Sequence, residues 1–213
     1  MSFDPIAHLG TVARSVESLE RAGKPAKAVV ASRVYATDAA DLWSALTTPA
    51  RLARWFAPVS GELREGGRYR IEGNASGTIT ECVEPRRIAL TWEFADTLSW
   101  VEATLSPASG GTRLELRHIA HVDAHWTQYG PGAGGVGWDL SLLGLARHLV
   151  EPDAVALLEA DPERMESTVA REFMGGASRG WADAAIADGQ AESEARAAGE
   201  RTRRFYTGEA PPE

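Results

Sequence analysis

The sequence predicts an α+β fold in which an antiparallel sheet is covered on its dry side by one long helix, and three observations predict it. Residues 60–121 alternate apolar and polar side chains in short runs parted by turn residues, the pattern of an antiparallel meander. Residues 136–150 follow a glycine-rich stretch and carry Trp138, Leu142, Leu145 and Leu149 on one stripe, a long amphipathic helix. Two short helix signals stand in tandem between the first strand and the meander.

Taken in order, residues 5–20 place Ile6, Leu9, Val12, Val16 and Leu19 at spacings of three and four, which predicts a short amphipathic helix ended by Gly23. Residues 27–35 are rich in β-branched side chains and read as a strand. Thr37-Asp38 then caps a helix through Leu46, with acids in its first turn, and Thr48-Pro49 caps the next, with proline at the first helical position. In the meander, Gly66-Gly67 precedes Tyr69 and Ile71, the run 74–77 is a turn, and Pro85 separates strands 78–84 and 87–94. Alternation puts Ile88, Leu90, Trp92 and Phe94 on one face with Val101, Ala103, Leu105, Leu114, Leu116 and His118. Arg87, Glu93, Glu102, Arg113, Glu115 and Arg117 lie on the other, and Trp100 shares their wet side. The long helix is the expected cover for the dry face, leaving a cavity between sheet and helix. Residues 151–213 predict three Ala-rich helices, about 162–173, 177–187 and 191–205, broken at Gly175-Gly176 and Gly189 and anchored by Phe173, Trp181, Ile186, Phe205 and Tyr206. The expected organisation is a helical arm over 1–26, a sheet-and-helix domain over 27–150, and a helical extension over 151–213.

Composition narrows the function classes. The 213 residues carry 22 Lys plus Arg against 30 Asp plus Glu, a net charge of −8. Only Arg201-Thr202-Arg203-Arg204 is locally basic, so a nucleic-acid partner is not expected. The acidity is unevenly placed: net −1 over residues 1–150 and net −7 over 151–213. The lone Cys82 allows no internal disulfide and fits a reducing compartment. No leader pattern opens the chain, and the most apolar stretch, residues 140–146, is far shorter than the roughly 20 residues of a membrane span. A cytoplasmic protein without a membrane partner is the expectation.

The pieces that follow one another along the chain resemble a known family. They are Val34-Tyr35-Ala36-Thr37-Asp38, Leu42-Trp43-Ser44-Ala45-Leu46-Thr47-Thr48-Pro49 and Leu52-Ala53-Arg54-Trp55-Phe56, then residues 77–85, Leu90-Thr91-Trp92, residues 111–118 and Gly137-Trp138. Together they resemble the SRPBCC superfamily, in its branch similar to activator of heat-shock-protein-90 ATPase, over residues 27–150. The loop 130–133 and the ending Phe205-Tyr206-Thr207-Gly208 are similar to a bacterial subgroup with the same helical tail. The resemblance implies a helix-grip (START-like) fold, a curved antiparallel sheet wrapped around a long helix and enclosing a cavity for apolar or amphipathic small molecules. It does not fix an activity, since relatives include carriers, cyclases and hydratases.

Several residue groups invite chemistry. His118, His121 and His125, with Asp123, raise a metal site, but residues three apart on a strand point to opposite faces and do not converge at the about 2.0–2.1 Å that zinc requires. A loop beginning after His118 would still let His121 and His125 gather, but one cavity-facing and two surface histidines is the preferred reading, and neither a metal nor a cofactor is expected. His118, in phase with Leu114 and Leu116, points to the cavity, where it would bond a ligand carbonyl or act as a general base, or else bond a backbone group near the strand end. Gly132-Ala133-Gly134-Gly135-Val136-Gly137 fits G-x-G-x-x-G but lacks the strand and parallel βαβ unit of a dinucleotide site, so a close-packed or flexible loop at the cavity mouth is expected. Cys82 lacks an evident catalytic partner, no Gly-x-Ser-x-Gly elbow is present, and Glu81 and Asp139 are the acids nearest the cavity, Glu81 with its face undecided. Trp43 reads as core, whereas Trp100 would meet the extension or a second copy of the chain, a homodimer.

The expected function is binding of a small apolar, aromatic or polyketide-like molecule. The expected lining is Trp55, Phe56, Tyr69, Ile71, Trp92, Val101, Leu114, His118, Trp138 and Leu142. A cyclase, dehydratase or hydrolase using His118 as base is the alternative from the enzyme class. A co-chaperone-like interaction module is the third, resting on the resemblance alone.

Overall fold

The computed structural model describes residues 4–152 and 167–210. Among these, seven helices and eight strands form an α+β fold: α1 Pro5–Leu9, β1 Ala13–Arg21, β2 Lys24–Tyr35, α2 Ala39–Thr47, α3 Pro49–Trp55, β3 Val59–Gly61, β4 Arg68–Ile71, β5 Ser76–Val83, β6 Arg87–Phe94, β7 Thr97–Ala108, β8 Gly111–His121, α4 Ala124–Tyr129, α5 Gly132–Val150, α6 Thr168–Ala187 and α7 Glu192–Thr207. The strands join in the order β1-β2-β8-β7-β6-β5-β4-β3, and every ladder from β3 to β8 is antiparallel. Among the described residues, no helix is long and apolar enough to cross a membrane.

The chain divides into two compact units, interleaved in sequence. The second comprises residues 32–120 and 144–156, so it holds α2, α3, the meander and the last turns of α5. Asp38 caps α2 through the Asp41 amide, and Pro49 opens α3 behind Thr48, which makes no side-chain cap bond. The Trp55 indole donates to the Ala45 carbonyl and ties α3 to α2. Arg51 joins the same helices to α5: it bonds the Asp41 carboxylate at 2.7 Å and His148 Nε2 at 3.2 Å. Thr37 and Arg51 hold the Asp41 carboxyl below its ordinary range, while burial and the neighbouring guanidinium groups push His148 down. On the sheet, one face carries the ion pairs Arg68–Glu93, Arg87–Glu81 and Arg87–Glu102. That face is not wet along its whole length. Trp100 pairs across strands with Ile119, and both are buried, so an apolar segment interrupts the charged rows where alternation alone predicts exposure.

The first unit comprises residues 1–31, 121–143 and 157–213. It corrects the helix expected over 5–20. Asp4 caps only α1, and the chain then extends as β1. Ala22 and Gly23 both adopt positive φ, 51° and 73°, the geometry of a tight two-residue hairpin that returns the chain as β2. Strand pairing therefore overrides a spacing that suits a helix. Along β1, Arg14 and Ser18 meet α6: Arg14 lies against Gly180, and Ser18 bonds Asp188.

The glycine-rich loop is also corrected. Helix α5 begins at Gly132, so the expected loop forms its first turns. A Cβ on Gly135 would stand 2.3 Å from Trp181 Cε2; hydrogen at this position lets the buried indole of α6 lie directly on the helix backbone. Gly175-Gly176 does not break α6 either. The helix runs through, because a Cβ at Gly176 would stand 2.5 Å from Leu9 Cδ1, and the gap is filled by α1 instead. The helix expected from residue 162 begins in the run 153–166, which lies outside the described residues. Gly189, at φ 97°, does end α6. Phe173 and Trp181 are fully buried, as anchors should be, but Phe205 is 62% exposed and meets Tyr129 at a tilt, ring centroids 5.6 Å apart, rather than entering a core. Small residues do much of the packing: Ala177, Ser178, Ala182, Ala195, Ala198 and Thr202 are all buried.

Candidate functional site

Within the second unit, strand register builds an apolar surface on the face opposite the ion pairs. Leu90 stands opposite Val101, Val101 opposite His118, and Trp92 opposite Ser99, so these side chains form a single patch across β6, β7 and β8. Ile79, opposite Leu90, extends it to β5, and Tyr69, opposite Gly77, to β4. Tyr69, Ile71 and Ile79 are buried as a cluster, with Phe56, Ile88, Leu90 and Trp92 packed on it and only half-buried. Tyr69 donates its hydroxyl to the Thr91 carbonyl at 2.7 Å, and burial raises its pKa. Val101 and Leu114 are buried within the same surface.

His118 is the polar centre of this patch. Its Nε2 lies 2.8 Å from Ser99 Oγ, and its ring centroid is 5.9 Å from that of Trp92, tilted by 50°. Ser99 Oγ donates in turn to the Trp92 carbonyl at 3.3 Å. Burial pushes the imidazole down to about 4, so it is neutral at pH 7. Ser99 escapes reading from sequence; its one signal is a hydroxyl in phase with Val101, Ala103 and Leu105 on an apolar face.

The other expected site residues fall in different places. Trp55 packs on Phe56 with ring centroids 5.5 Å apart and bonds Ala45, a tie between helices. Trp138 and Leu142, half-buried and buried, sit on the part of α5 that belongs to the first unit. Glu81 is decided by a register shift between Ile79 and Glu81: it lands opposite Ala89 and pairs with Arg87 on the charged face. Asp139 is no cavity acid. It is fully buried in the first unit, bound by Arg14 at 2.8 and 3.0 Å and by the Trp181 indole at 2.8 Å, and burial raises its pKa despite those donors. The three histidines have separate settings: His121 Nε2 is 2.9 Å from the Arg21 carbonyl, and exposed His125 lies tilted against Tyr129, ring centroids 4.9 Å apart. Among the described residues, no three His, Cys, Asp or Glu side chains gather as metal ligands. Cys82 pairs with Ile88 on the ladder, with its thiol pushed up first by burial and then by Glu84 and Glu65.

Comparison with known proteins bears on this fold. The family model described as Activator of Hsp90 ATPase homolog 1-like protein matches residues 36–149. CalU16 from Micromonospora echinospora is 30% identical with a TM-score of 0.63, over 82% of this chain and 98% of that one. MLL2253 from Mesorhizobium loti, at 23% identity and a TM-score of 0.53, covers 60% of this chain and 99% of its own, and shows the fold alone. No curated protein matches the sequence.

Proposed function

Because the chain belongs to the Activator of Hsp90 ATPase homolog 1-like family, within the helix-grip SRPBCC superfamily, we propose that it binds a small apolar, aromatic or polyketide-like molecule on the apolar face of its second unit. The observation that carries this reading is a half-buried apolar surface, Phe56, Ile88, Leu90 and Trp92, set around one neutral imidazole. Flat aromatic walls with a single fixed polar group are how small-molecule sites orient a largely apolar ligand. His118 supplies the hydrogen bond, Trp92 the stacking surface, and Tyr69 and Ile71 the rigid floor. The partner is thus a small molecule, in a cytoplasmic protein that needs neither nucleic acid nor membrane.

A cyclase, dehydratase or hydrolase on the same ligand class ranks second. An imidazole held near 4 accepts a proton weakly at pH 7, which favours a hydrogen-bonding role over general-base catalysis. The co-chaperone-like reading rests on family membership and ranks third.

Titration with a hydroxylated anthraquinone tests the binding reading. Saturable binding is expected, weakened about tenfold by Trp92→Ala and several-fold by His118→Ala. Native mass spectrometry of protein from its source should show a bound apolar mass. Absence of both a saturable isotherm and a bound mass would overturn the reading; turnover that falls by on the order of 10² in His118→Ala would replace it with the enzyme.

A further inference from the structure

The first unit contains a cleft of about 280 Å³, lined by Val16, Lys27, Trp126, Ala185, Asp188, Gly189 and Gln190. It is independent of the face assigned above: its walls come from β1, β2, α4 and the end of α6. Three features define its chemistry. Lys27 Nζ donates to Asp188 and, at 2.6 Å, to Ser18 Oγ, which bonds Asp188 in turn; one ammonium proton is left uncommitted among the described residues. The Trp126 indole N–H and the Gln190 carboxamide likewise make no hydrogen bond among the described residues, although Asp123 fixes Trp126 through its backbone amide. Val16 and Ala185 are buried and apolar.

From this we infer that the cleft binds a free zwitterionic α-amino acid with an apolar or aromatic side chain. The lining carries one cation and one anion already paired, so its net charge is zero. A purely anionic ligand attracted by Lys27 is repelled by Asp188, and a cationic one meets the reverse. A zwitterion escapes the conflict: its carboxylate takes the remaining Lys27 proton and its ammonium faces Asp188. The indole of Trp126 with Val16 and Ala185 provides an apolar wall for the side chain. Size agrees, because small-molecule pockets run from about 300 to 1,000 Å³ for drug-sized ligands, and this cleft lies just under that range.

The test uses the full chain and three probes of equal ring size: L-phenylalanine, 3-phenylpropionate and phenethylamine. The Trp126 indole N–H signal, identified with Trp126→Phe, reports occupancy by NMR. L-Phenylalanine should shift it saturably and bind at least fivefold tighter than either singly charged probe. Lys27→Met and Asp188→Asn should each weaken it fivefold or more, and so should Gln190→Ala, which leaves the ion pair intact and guards against a folding defect. His118→Ala should leave this binding unchanged, which separates the cleft from the apolar face of the second unit. No saturable shift, equal affinity for the three probes, or indifference to all three cleft substitutions would overturn the inference.

Discussion

The hydroxyl of Ser99 lies 2.8 Å from Nε2 of His118, so the direction in which that hydroxyl donates and the tautomer of the ring are linked. A hydroxyl has a single hydrogen to give. Donation to the Trp92 carbonyl at 3.3 Å leaves a hydroxyl lone pair to accept from His118, and that arrangement predicts the Nε2–H tautomer for the neutral imidazole.

That tautomer is the first expectation. Nitrogen-15 NMR of His118 at pH 7 should show a protonated Nε2 and an unprotonated Nδ1. Ser99→Ala should bring the two nitrogen shifts closer together and lower stability by about 1–2 kcal/mol in urea unfolding, the loss of the two hydrogen bonds its hydroxyl makes. The opposite tautomer in the unaltered protein would refute the assignment.

Burial of His118 also dictates a pH dependence. The folded imidazole titrates near 4 and an unfolded one near 6.5, so the unfolded chain binds the proton first as pH falls. The stabilisation is whole above about 6.5 and is lost progressively down to about 4, by about 3 kcal/mol at full extent. His148, also shifted down, acts in the same direction. His118→Gln should flatten most of the decline between pH 6.5 and 4; an unchanged slope in chemical denaturation would show that the ring is not desolvated.

Asp139 should prove structural rather than catalytic. Asp139→Ala leaves the Arg14 guanidinium and the Trp181 indole without their shared acceptor, and loss of about 3–5 kcal/mol is expected. Arg14→Met combined with Asp139→Leu should recover part of it, since both charges are then removed. A strictly additive double variant, measured by denaturation, would contradict direct coupling.

Close helix packing makes a steric prediction. Gly135→Ala drives a methyl group into Trp181 and should lose about 1–3 kcal/mol or more, despite the better helix propensity of alanine. Gly10→Ala, whose Cβ would meet only Ala7 O at an ordinary 3.7 Å, should change stability by less than about 0.5 kcal/mol. Equal thermal midpoints for the two variants would show that α5 and α6 can separate without loss.

Local pattern was enough to determine the α+β class, the meander over residues 60–121 with its inner row Leu90, Trp92, Val101 and His118, the tandem helices at Asp38 and Thr48-Pro49, and the placing of His118 on an apolar face. Period two and helix caps act between near neighbours, so they are written in the order of residues. Tertiary structure decided what depends on partners distant in the chain. Residues 13–21 became a strand because a hairpin at Ala22-Gly23 delivers β2 beside them. Gly132 and Gly135 became helix because α6 and α7 press onto their bare backbone, and at Gly176, where α6 runs on, α1 fills the space a side chain would take. Asp139 became an ion-pair partner because Arg14, 125 residues away in sequence, is the charge it meets. Propensity and spacing differ among such alternatives by about 1 kcal/mol or less per residue, whereas burial and a buried ion pair involve several, so the distant partner wins.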